Sequence, residues 1–131
     1  MVHAFASASI AFELSTASAA AHHYDPNRAV FQDFDSFWEF VSGPLHAGTW
    51  GPQPLDNTFG PSAVYEKGCS AEQGENLSPC FGLQFFGHVA IDGVTEAMTV
   101  TLKDVANRNL WSTTLHPKFD SRARLPRGVA L

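Results

Sequence analysis

The sequence predicts an α+β domain: a three-stranded antiparallel β-meander, one short helix packed on its apolar face, and a long Gly/Pro-rich loop. Three observations carry that expectation. Residues 81–117 repeat apolar side chains at every second position between short polar turns, the period of half-buried strands. The word FDSFWEFVSGP, Phe34–Pro44, has the start and stop signals of a helix. Most of the 10 Gly and 8 Pro fall in the middle third of the chain, which disfavours long regular elements there.

Taken in order, residues 1–21 are rich in Ala and Ser and compatible with helix, strand or irregular chain. They also resemble a signal peptide, with small residues around STASA. However, the start lacks Lys or Arg, and Glu13 breaks the apolar run, so secretion through this segment is disfavoured. Within residues 22–45, Ser36 is a suitable N-cap, and Glu39 three residues on completes a capping box. Phe37, Phe40 and Val41 would then share one helix face, and Gly43-Pro44 would end the helix. Residues 46–80, including GTWGPQPLDNTFGPS, read as a long loop packed against something functional or against a larger body. Next, Phe81, Leu83, Phe85, Val89 and Ile91 alternate onto one face of a first strand. MTVTLK puts Met98, Val100 and Leu102 on one face and Thr99, Thr101 and Lys103 on the other, and LWSTTL completes the meander. The tail from residue 118 has no pattern and is expected to be loose.

Composition narrows the function. With 131 residues, 44% of them hydrophobic, and 11 Phe and 3 Trp, the chain can bury a core. A formal charge of -5 and only 8 Lys and Arg, five of them dispersed from Arg108 onward, argue against nucleic acid as partner. No run is long enough to span a membrane. Cys69 and Cys80 flank a polar loop, and both a short-loop disulfide and two free thiols remain open. No Cys-x-x-Cys pair, phosphate-cradling glycine loop or nucleophilic serine motif is present.

The residue types that suggest chemistry lie in AAAHHYDPNRA, Ala19–Ala29. His22 and His23 are adjacent and would point to opposite faces of an extended chain, so they do not share a metal comfortably. His23 and Asp25 offer two ligands at most, where a catalytic metal takes at least three from the protein. Arg28 could clamp a phosphate, with an ion pair to Asp25 or Asp33 as the stronger expectation. His88, in FGHVA, has Ala90 where a Gly-His-x-His ligand word needs its second His, and is expected on a polar strand face. His46 and His116 have no charged neighbour in sequence.

Long, unusual words then point to a family. YDPNRAVFQDFDSFWEFVSGPLHAGT, GLQFFG and MTVTLKDVANRNLWSTTLHP closely resemble the carboxy-terminal part of alkaline phosphatase D, the PhoD-like family of metal-dependent phosphatases and phosphodiesterases. The resemblance runs over residues 20–117, leaving a divergent segment at 1–19 and the tail at 118–131. It implies one piece of an α/β metallophosphatase sandwich from a secreted or periplasmic enzyme, with calcium and iron in the intact site. Such a site neutralises phosphoryl oxygens and activates the attacking water. The family's upstream metal-binding segments have no counterpart in this chain. Where an Asp-Val-His word should precede the Ala-Ala-His run, the aligned residues are Ser15, Thr16 and Ala17, none of them a strong ligand.

The resulting expectation is a segment with no catalytic residue or metal ligand of its own, inactive alone. His22, His23, Asp25 and Arg28 would touch substrate or orient the metal ligands from behind. The implied partners are a second copy or a complementary phosphatase segment. The alternatives are a non-catalytic β-rich interaction module and a fragment without a function of its own.

Overall fold

The computed structural model describes residues 10–11 and 18–118. Their regular structure is almost entirely β-strand, in two sheets. The first has the order β1-β3-β2-β4, from β1 (Ile10–Ala11), β2 (Ala19–Tyr24), β3 (Phe37–Ser42) and β4 (Pro61–Lys67). β2 is antiparallel to both neighbours, and β1 lies parallel to β3. The second sheet is an antiparallel meander of β5 (Phe85–Ile91), β6 (Met98–Asp104) and β7 (Asn109–Leu115). No helix among the described residues is long and apolar enough to cross a membrane.

The expected α+β class is therefore incorrect, and the packed helix is not there. FWEFVS is strand β3. Four of its six residues are aromatic or β-branched, which favours a pleated surface. Six residues are also too few to offset the cost of nucleating a helix. The strand period sorts them better: Trp38 and Phe40 face the core, while Glu39 and Val41 face the other way. The long loop expected at 46–80 is likewise interrupted by β4, and the described helical turns are 3-10 turns at Pro26–Arg28, Asn57–Phe59 and Pro79–Phe81. The region described is thus two β-sheets rather than an α/β sandwich portion.

The core lies between the sheets. Ala19, Ala21 and Phe40 from the first meet Phe85, Val100 and Leu102 from the second, with Trp38, Tyr65 and Trp111 half-buried around them. The small alanines of β2 let large rings close over them. Phe40 stacks on Trp38 at 5.8 Å, and Trp111 crosses from the second sheet to within 6.1 Å of Phe40. On the far face of the meander, hydroxyls pair across strands, Thr99 with Thr114 and Thr101 with Ser112, at 3.0 Å each. β5 is buried only at its start: Phe85 is buried, whereas Val89 and Ile91 are exposed. Phe81 precedes the strand and is also exposed.

The β6–β7 turn is built on one carboxylate. Asp104 is buried and accepts from the backbone N–H of Arg108 at 2.9 Å and from its Nε at 2.7 Å, and Asn107 supplies the left-handed residue. Above all, the Arg108 backbone N–H holds the Asp104 carboxyl below the ordinary carboxylate range; burial opposes this, and the Arg108 side chain and charge reinforce it. A carboxyl depressed by folding adds stability above its unfolded value and loses that contribution as pH falls through the folded one. Melting temperature should therefore fall below about pH 4. Asp104→Asn should be less stable at neutral pH and show a shallower acid limb, read by melts across a pH series.

Candidate functional site

Strand β2 places the sequence-selected residues, and its pleat separates them. His22 points away from the core into a pocket on the outer face of the first sheet, whereas His23 tilts against Trp38 at 4.8 Å on the core side. The pocket, about 190 Å³, is walled by His22, Tyr24, Glu39 and Glu66 and covered by Gly51 and Leu55 of the Gly/Pro-rich loop. His22 is the cross-strand partner of Glu39, and Glu66 sits diagonally on β4, opposite Ala20. A register shift between Ala21 and His22 locally bends the pairing with β4.

The pocket's chemistry is a histidine held between two carboxylates. His22 Nδ1 lies 2.9 Å from Glu39 Oε2, and Nε2 lies 3.3 Å from Glu66 Oε1. Tyr24 O–H donates to the same Glu39 oxygen at 2.8 Å. Side-chain exposure is 9% for His22, 17% for Glu39 and 28% for Glu66. Each ring nitrogen of His22 thus faces a carboxylate oxygen, one from each neighbouring strand. In this arrangement neither nitrogen offers a lone pair outward. The pocket is smaller than typical small-molecule sites, and its two carboxylates repel anions, so a phosphoryl group does not belong in it.

The remaining candidates lie elsewhere. Asp25 caps the turn at Pro26–Arg28, its Oδ1 accepting from both nitrogens of Asn27 at 2.9 Å. Arg28 is exposed and donates to the Ser62 hydroxyl. Among the described residues it makes no ion pair with Asp25 or Asp33, contrary to expectation, because Asp25 is already engaged as a cap. Ser62 is also the cross-strand partner of His23, so Arg28 and His23 converge on one residue. His46, His88 and His116 are exposed. Both cysteines are free thiols, Cys69 buried against the Thr49 carbonyl and Cys80 exposed.

Calcium and iron find no fit here. His22 has both nitrogens on carboxylates, His23 and Asp25 lie apart from it, and no group of three or more His, Cys, Asp or Glu is poised to hold a metal among the described residues. Sequence reasoning missed Glu39 and Glu66. The sequence pattern puts Glu39 in a helix cap and Glu66 in a loop. The signal for Glu66 was the run PSAVYEK bounded by Gly60 and Gly68, short, β-rich and punctuated as strands are.

Fold and site define a two-sheet β-protein whose outer face carries a closed His–carboxylate network. Comparison with family models, with curated proteins and with solved structures finds no match to this chain.

Proposed function

We propose that the chain is the carboxy-terminal β portion of an alkaline phosphatase D-type phosphoric-ester hydrolase, inactive alone, with the metal ligands supplied from outside it. The words shared over residues 20–117 support the family reading. The observation that supports a rim rather than a catalytic centre is His22: both its nitrogens are spent on Glu39 and Glu66, which ties β2 to its two neighbours. This reading assigns a substrate phosphate to Arg28 on the chemistry of its guanidinium, which is exposed and donates to Ser62.

Co-expression tests this reading. The partner is the upstream portion of an alkaline phosphatase D, ending before its own Ala-Ala-His word, and bis(p-nitrophenyl) phosphate is the substrate, with calcium and ferric iron present. The expected result is turnover by the pair and none by either piece, with Arg28→Ala lowering kcat/KM about tenfold or more. Turnover by this chain alone, or none from a soluble, co-purifying pair, contradicts it.

A further inference from the structure

Away from the pocket, one end of the sandwich carries an uncovered aromatic cluster. Phe31, Phe34 and Phe59 meet with ring centroids 5.7, 5.9 and 6.3 Å apart. Phe31 is 48% exposed, Phe59 43%, and neighbouring Val30 78%. The segment is pinned in place, with Val30 and Phe31 N–H donating to the carbonyls of Asn57 and Thr58. Its charge is one-sided. Asp33 and Asp35 flank Phe34 and are exposed, Asp25 and Asp56 cap the two adjoining turns, and Arg28 is the cation set among them. An acid-rimmed aromatic face suits a basic segment with apolar anchors, because guanidinium groups both pair with carboxylates and lie over ring faces.

The chain contains such a segment. Residues 119–131, FDSRARLPRGVAL, carry Arg122, Arg124 and Arg127 against one acid, Asp120, with Phe119, Leu125 and Val129 as anchors. The topology delivers it to the right end. The Asp104–Arg108 turn is tied through Val105 N–H to the Gln84 carbonyl, and through Gln84 Nε2 to the Ala47 carbonyl in the loop that leaves β3. From there β7 runs roughly 23 Å the other way, toward the end where Tyr24, Phe37 and Pro61 pair. Thirteen further residues reach up to about 43 Å, ample to cross that end.

We propose that residues 119–131 dock on the Phe31–Phe34–Phe59 cluster, their arginines on the aspartate rim and their apolar residues on the rings. A segment without a period of its own can still be placed by charge and anchors.

Limited trypsin digestion of the intact chain tests this, following cleavage after Arg122, Arg124 and Arg127 by mass, with cleavage after Lys103 inside β6 as the internal control. Where opening is fast, cleavage tracks the undocked population. Phe31→Ser, and separately Asp33→Asn with Asp35→Asn, should speed cleavage at the three arginines by roughly threefold to tenfold and leave Lys103 unchanged. The two Asn substitutions are at exposed positions, so they keep the test valid if Phe31→Ser fails to fold. Equal rates in wild type and the Asn variant overturn the proposal. So does wild-type protection that disappears on dilution, which would assign the cluster to a second copy.

Discussion

Phe40→Ala is expected to destabilise the protein by about 3–5 kcal/mol, a large share of the roughly 5–15 kcal/mol that holds a domain folded. Phe40 is fully buried at the centre of the sheet interface. It packs on Trp38 within its own sheet and on Trp111 of the other. Truncation opens a cavity that two rings cannot both collapse into without losing their contact across the sheets. A urea titration should show the midpoint falling sharply, with the variant partly unfolded before denaturant is added. Phe40→Leu, which keeps most of the volume, should cost far less. Equal midpoints for Phe40→Ala and wild type would mean that the two sheets do not share this core.

Gly60→Ala should cost about 2–4 kcal/mol, for two independent reasons. Gly60 ends the turn at Asn57–Phe59 in the left-handed region, φ 57° and ψ 46°. A methyl there would also fall 2.6 Å from the Ala29 nitrogen and 2.7 Å from the Asp25 carbonyl oxygen, both backbone atoms that cannot swing aside. The glycine lets the start of β4 close against the Pro26–Arg28 turn, where Asp25 N–H donates to the Gly60 carbonyl at 3.4 Å. The damage should therefore spread to Arg28 and Ser62. Comparison with Gly74→Ala separates the two causes, because Gly74 also has a positive φ, 80°, but open space around it. Its loss should reflect backbone conformation alone, and a Gly60→Ala loss no larger would remove the steric part of the account.

The meander was legible in the sequence because each of its strands repeats at period two between polar turns, and β6 shows it most clearly: Val100 and Leu102 buried inward, Thr99 and Lys103 outward. Phe37–Ser42 was not legible, because the same six residues satisfy a capping box and a strand. Only the neighbouring strands, which pair with the backbone and bury Trp38 and Phe40, decide between them. The candidate site was half legible. That His22 and His23 face opposite ways follows from the pleat alone. That His22 would meet Glu39 and Glu66 depends on the order β3-β2-β4, which brings together residues 17 and 44 positions apart. No local pattern encodes that pairing.

His22, with a carboxylate on each ring nitrogen, is built to brace the first sheet rather than to take a metal ion. A thermal melt of the purified chain in chelator, then with calcium and with ferric iron, tests it most directly. A native-state metal site raises the melting temperature in proportion to the logarithm of metal concentration above its Kd. Superimposable melts are expected under all three conditions, with a lower melt for His22→Gln that metal does not restore. A melt that rises with either metal, and loses that rise in His22→Gln, would contradict it and make His22 a ligand.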